Sequence, residues 1–293
     1  MAIKTPPEIS AAAVAAGTAK AKLSWDRAVV GGFLAGAYIA FGSLVAISVS
    51  SGLDPKTWGT LPTLFTGAVF TLGLVLCIVG GAELLTGNMA LLPLALLRRK
   101  ITVGQLGINF GLVLVGNLLG SLFVAYFLAY KSGVIGASPD AAGAAGLEHV
   151  RAAAIASGKA LHESNLQIFL RALGCNWLVC LAVWLALAAD DVAGKVLGIF
   201  FPIMAFVAMG FDHVVANMFF LPLGHFIGTA GLGWGDVTNN LVIAFLGNLV
   251  GAGVFVAFTY WFLYLRGVPD AATDDAAYPS ENRVSAPAGS RRP

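Results

Sequence analysis

The sequence predicts an all-α integral membrane protein. Six transmembrane helices form an inverted repeat in which the second and fifth spans are broken. Three observations carry this. The 293 residues are 58% hydrophobic and 11% charged, with mean hydropathy +0.84, whereas a soluble domain carries about twice that charge fraction. Hydrophobic stretches near or above the ~20 residues needed to span a bilayer occur six times. A pattern G-x-[E/D]-x4-N-M-x2-L-P-L appears twice, from Gly81 to Leu94 and from Gly210 to Leu223. Each copy sets an acid, an amide and a helix breaker where lipid tolerates none of them.

In chain order, residues 1–24 are alanine-rich with Pro6 and Pro7, and read as a cytoplasmic surface helix or arm. They lack the apolar core and cleavage site of a signal peptide. The first span is about 28–50. The second, 61–97, is long for one straight helix and holds the first motif. The third, 104–130, carries Gly116-Asn117-Leu118-Leu119-Gly120. An external loop follows over 131–165, with a candidate helix from Ala152 to Lys159. The fourth span is 166–189. The fifth, 196–227, is again long and holds the second motif. The sixth, 238–265, carries Gly247-Asn248-Leu249-Val250-Gly251, matching the third. Residues 267–293 read as a disordered cytoplasmic tail.

The membrane domain is therefore 25–266, with repeat one about 25–130 and repeat two about 160–266. Each repeat has an odd number of spans, so the second lies upside down relative to the first. Folds of this kind place the substrate path at the midplane, between discontinuous helices. The 36 glycines, many at small-x3-small spacing, favour close helix packing. Lysine and arginine total 17, of which 12 fall on the side of the termini, including the tight turn Arg98-Arg99-Lys100. The positive-inside rule places both termini in the cytoplasm, and the protein in the cell (inner) membrane.

Glu83 and Asp212 are the two acids deep within spans, at equivalent places in the repeats. A charge there costs at least ~2.5 kcal/mol, so each needs a partner. Lys22 precedes the first repeat and Lys159 the second, and their stems can snorkel inward. Two clusters follow, Lys22–Glu83–Asn88 inside and Lys159–Asp212–Asn217 outside. The acids either anchor broken-helix ends or meet a permeant. His213 breaks the symmetry, because its repeat mate is Leu84. A residue that exchanges protons near neutral pH, beside a helix break, suits permeation or gating. Thr86 is the hydroxyl partner from the other break. Phe70, Leu74, Leu85, Val179 and Phe206 are the candidate hydrophobic constrictions.

Cys77, Cys175 and Cys180 have no zinc-ligand spacing and read as packing residues. No motif of an esterase, metalloprotease or phosphate-binding loop occurs, so neither an enzyme nor a cofactor or metal is expected. No basic face with interleaved aromatics suggests nucleic acid.

The stretches Gly80 to Asn88, Cys175 to Trp184 and Gly210 to Met218, with Gly247-Asn248 and Thr259-Tyr260-Trp261, resemble the signatures of the formate/nitrite transporter family. The resemblance covers roughly residues 20–266. It implies an aquaporin-like fold, a homopentamer with one pore per protomer, and transport of small monovalent anions. It further implies that His213 sits at the pore centre facing Thr86, and that Lys159 and Asn176 attract or contact the anion. Asp212 stands where the family usually has glutamate, and its shorter reach leaves a direct Lys159–Asp212 contact open.

The expected function is passive or proton-coupled transport of formate or nitrite. Hydrosulfide, acetate or lactate through the same pore is the alternative. A water or glycerol channel is a further one, although no proline follows Asn88 or Asn217 as in paired Asn-Pro-Ala motifs. A non-transporting scaffold or sensor would use the same fold.

Overall fold

The breaks in the second and fifth apolar stretches organise the molecule. The computed structural model describes residues 3–269, and among these every regular element is helical. In chain order they are α1 (Pro6–Lys20), α2 (Trp25–Ser50), α3 (Pro55–Trp58), α4 (Leu61–Val79), α5 (Leu85–Leu97), α6 (Val103–Phe123), α7 (Ala144–Leu161), α8 (Asn165–Ala188), α9 (Val192–Ala208), α10 (Val214–Phe226) and α11 (Trp234–Ala252). Wider π-helical turns continue α6 over Val124–Lys131, and α11 over Gly253–Phe258 and Trp261–Leu265.

Among the described residues, five helical stretches are long and apolar enough to cross a membrane: Trp25–Ser50, Leu61–Val79, Val103–Lys131, Asn165–Ala188 and Trp234–Leu265. Shorter apolar helices are α5, α9 and α10, of 13, 17 and 13 residues. Residues 61–97 thus become α4 and α5, and residues 196–227 become α9 and α10. Gly81 (φ 79°) and Gly210 (φ 69°) turn the chain at the equivalent point of each break, in the left-handed region that side-chain-bearing residues avoid.

The freed backbone groups find partners. Ala82 N–H reaches Cys77 O at 2.9 Å, Phe211 N–H reaches Phe206 O at 3.0 Å, and Glu83 N–H reaches Gly31 O at 3.0 Å. Irregular backbone at membrane depth is tolerable only when protein satisfies it in this way.

α2 packs on α4 and α6, and α8 packs on α9 and α11. The small-residue spacing accounts for the closeness. A Cβ on Gly120 would stand 2.0 Å from Phe33 O, and one on Gly251 would stand 2.2 Å from Leu173 O. Capping boxes start α6 (Thr102 with Gln105) and α8 (Ser164 with Gln167).

The repeat extends further than the spans. α1 packs on α5 and α7 packs on α10, and each ends near a lysine that faces a break, Lys20 and Lys159. α1 is docked rather than a free arm, with Ile9, Ala13 and Val14 buried. Lys4 ties the start of the chain to α8 through Asp190 and the Leu187 carbonyl. The candidate helix from Ala152 to Lys159 lies within the longer α7. The three cysteines are buried and form no disulfide among the described residues. The tail expected over 267–293 lies, from residue 270 on, outside the described residues.

Candidate functional site

Asparagine side chains stitch both breaks to the neighbouring helices in the same way. Asn117 on α6 donates to Gly32 O (2.8 Å) and Glu83 O (2.9 Å), and accepts from Leu85 N–H (3.0 Å). Asn248 on α11 donates to Ala172 O (2.8 Å) and Asp212 O (2.9 Å), and accepts from Val214 N–H (2.8 Å). One amide thus fixes the residue before each N-cap and the first N–H of the half-helix that follows.

The acids sit beside these stitches. Asp212 Oδ1 accepts from Lys159 Nζ (2.8 Å) and Asn217 Nδ2 (2.9 Å), so the contact left open by the short aspartate is direct. In the first repeat the longer glutamate divides the work. Glu83 Oε1 takes a lysine at 2.7 Å and Oε2 takes Asn88 Nδ2 at 3.1 Å. That lysine is Lys20, not the expected Lys22. α1 continues through Lys20, whose carbonyl is held by Asn109 Nδ2 (3.0 Å), while Lys22 lies exposed in the turn beyond.

Asn88 and Asn217 each donate a second bond, to Asn109 (2.9 Å) and Asn240 (2.8 Å). Asn240 in turn holds Lys159 O at 3.0 Å. Sequence reasoning missed Asn109 and Asn240. Their separation in the chain equals that of Asn117 and Asn248, which is the signal that would have found them.

His213 is the N-cap of α10. Its Nδ1 accepts the Ala216 N–H at 3.1 Å. The neutral ring therefore carries its proton on Nε2, which lies 2.8 Å from Thr86 Oγ1 and donates to it. Leu84, the equivalent N-cap of α5, makes no side-chain cap. Thr86 lies in the first turn of α5, so the positive ends of two helix dipoles meet at this contact. Both residues are buried.

Two cavities flank the breaks. One of about 240 Å³ is lined by Lys20, Glu83, Leu84, Leu74, Asn88 and Lys195, among others. The other, about 170 Å³, is lined by Phe70, Phe206, His213, Lys159, Asn217 and Arg151, among others. Phe206 stacks on the His213 ring at 5.9 Å and meets Phe70 edge-on at 5.8 Å. Thr86, Leu85 and Val179 are buried and line neither cavity.

Asn176 also lines neither cavity. Its amide donates to Thr86 O (3.2 Å) and Asn248 O (2.9 Å), so it holds the backbone of the Thr86 turn and is not on a cavity wall to meet an anion.

Two charged residues near the second cavity were missed as site residues. Arg151 lines it from α7. Glu163 pairs with Arg171, and its carboxyl group also faces that of Asp212. No cluster of His, Cys, Asp and Glu that could hold a metal occurs among the described residues.

Comparison with known proteins fits this geometry. The family model described as formate/nitrite transporter matches residues 7–262. The chain is 49% identical over 264 residues to an uncharacterized transporter, YrhG, of Bacillus subtilis (strain 168), covering 90% of this chain and 95% of that one. It is 46% identical over 270 residues to a probable formate transporter of Methanothermobacter thermautotrophicus, covering 90% and 98%. A solved pentameric formate channel with formate bound superposes with TM-score 0.69 at 30% identity, covering 82% of this chain and 98% of that one. The chain is a multi-pass membrane protein of the formate/nitrite transporter family.

Proposed function

We propose that this chain carries small monovalent anions, formate or nitrite, across the cell membrane through a pore closed at the Thr86–His213 contact. The observation that carries this reading is that contact itself. It lies where two half-helix N-termini converge, beside two separate cavities each bearing a lysine. α4 with α5, and α9 with α10, each act as one discontinuous span, which gives six. The positive-inside rule puts the Lys20 cavity at the cytoplasm and the Lys159 cavity outside. The relative described as a pentameric formate channel supports a homopentamer with a pore in each protomer.

The anion is drawn into either cavity by its lysine and the helix dipoles. Phe70 and Phe206 on the outer side and Leu74 on the inner side then strip its water. A bare anion meets a large desolvation cost there. Protonation to the neutral acid removes most of that cost. His213 Nδ1 is occupied by the Ala216 N–H, so the ring cannot take a second proton without breaking the α10 cap. The proton therefore comes from water in the vestibule, and His213 serves as a neutral Nε2–H donor. Thr86 Oγ1 releases that donor to the passing molecule and takes it back.

The test is formate uptake into proteoliposomes with and without an inward proton gradient. Proton-coupled transport accelerates uptake under the gradient. Uptake that follows the formate gradient alone, at every pH, sinks the coupling and leaves a passive anion channel. Hydrosulfide, acetate and lactate remain the alternative cargoes, separated by competition for labelled formate. Swelling in glycerol without a formate response would favour a neutral-solute channel.

A further inference from the structure

Arg151 brings a second cation to the outer cavity, and its surroundings differ from those of Lys159. Lys159 is neutralised by Asp212, and nearby Arg171 is in contact with the Glu163 carboxyl group. Arg151 makes no ion pair among the described residues. Its single hydrogen bond there runs from Nε to Ser50 Oγ at 2.9 Å. Ser50 in turn donates to Ala46 O at 2.7 Å, so the hydroxyl is oriented as an acceptor and holds the guanidinium from behind. The two terminal nitrogens are left without protein partners and are not sealed in the interior. Arg151, Ile155 and Lys159 are spaced by four on one face of α7, and all three line the cavity that also holds His213.

A guanidinium is a planar fork. It matches two oxygens on one atom, as a lysine ammonium cannot. Burial lowers the Arg151 pKa from its ordinary range, as expected of a charge removed from water without a local counter-charge. The Ser50 hydrogen bond spends the Nε donor and fixes the plane, so that the NH2 edge is the one offered to the cavity.

We infer that Arg151 is a docking and specificity residue of the outer vestibule, where its terminal nitrogens grip a planar two-oxygen anion, a carboxylate or nitrite, before that anion reaches Lys159 and His213. This rests on the anion-transport reading and adds a preference to it. Anions without a second oxygen, such as hydrosulfide, gain nothing from the fork.

Right-side-out membrane vesicles carrying the full-length pentamer test this, with initial uptake of formate, nitrite and hydrosulfide supplied from outside. Arg151→Gln is expected to raise half-saturation for formate and nitrite roughly tenfold, with the limiting rate kept and hydrosulfide within about twofold. Arg151→Lys keeps the charge without the fork and stays raised severalfold. Ser50→Ala leaves the fork but loosens it, and gives a smaller rise. Size-exclusion elution of each variant as wild type shows that assembly is intact. Unchanged half-saturation in Arg151→Gln, full recovery in Arg151→Lys, or an equal loss for hydrosulfide overturns the proposal while wild-type transport stands. Failure of wild type to move formate and nitrite at all overturns the transport reading and this proposal with it.

Discussion

Thr86 Oγ1 lies 2.8 Å from His213 Nε2, and the other ring nitrogen of that histidine caps α10 through the Ala216 N–H. The ring is thus committed on both sides, one nitrogen to the α10 cap and one to the Thr86 hydroxyl. Asparagine is also a strong N-cap, and its amide supplies a donor. His213→Asn should therefore keep both the helix and pH-dependent formate uptake. His213→Ala removes cap and donor together and should cost about 1 kcal/mol of stability as well as transport. Thermal unfolding in detergent and proteoliposome flux at pH 5 to 8 check the pair. Loss of pH dependence in the asparagine variant would show that the histidine itself carries the proton.

The partner of Glu83 gives a second test. Lys20→Met leaves a part-buried carboxylate without its cation and should destabilise by about 3 kcal/mol. Lys22→Met, in the exposed turn, should fall within about 0.5 kcal/mol of wild type. The same unfolding measurement separates them, and an equal loss in both variants would contradict the Lys20–Glu83 pairing seen at 2.7 Å.

Lys20 and Lys22 also mark where sequence stops being informative. The apolar runs, the duplicated motif and the glycine spacing are repeated signals, and each maps onto a helix, a break or a close contact. Which of two nearby lysines faces inward depends on where α1 ends, and an alanine-rich helix with little amphipathic contrast does not announce its end. Asn176 was expected to meet the anion only because the family resemblance implies it. Two backbone carbonyls satisfy its amide, and those are invisible to a residue-type argument. Arg151 was hidden differently: it falls just ahead of the candidate helix Ala152 to Lys159, whereas α7 begins at Ala144 and carries it.

Asn176 should behave as a positioning residue. Asn176→Ala removes the donor to Thr86 O and leaves the cavity walls intact. The expected outcome is a limiting rate lowered severalfold, because the Thr86 carbonyl loses its amide donor and keeps the weaker Cys180 Sγ at 3.4 Å, a change worth about 1 kcal/mol, with half-saturation within about twofold. Half-saturation rising in step with the fall in rate would instead place the amide in contact with the anion.

Glu163 makes stability depend on pH. Burial first, and then the facing Asp212 carboxyl, raise its pKa from 4.5 to about 7, against the opposing pull of Lys159 and Arg171. Glu163 Oε2 and Asp212 Oδ2 are both buried without a donor among the described residues, and one proton held on Glu163 satisfies both. The folded protein then binds this proton more tightly than the unfolded chain. The contribution is fully present below pH 4.5, declines as pH rises, and is gone once the pH has passed about 7. Glu163→Gln supplies a permanent N–H to Asp212 and keeps an oxygen for Arg171. It should flatten the fall in unfolding temperature between pH 4.5 and 7, and make the variant the more stable protein above pH 7. A variant whose pH profile runs parallel to wild type across that interval would show that Glu163 is already ionised and that the proton lies elsewhere.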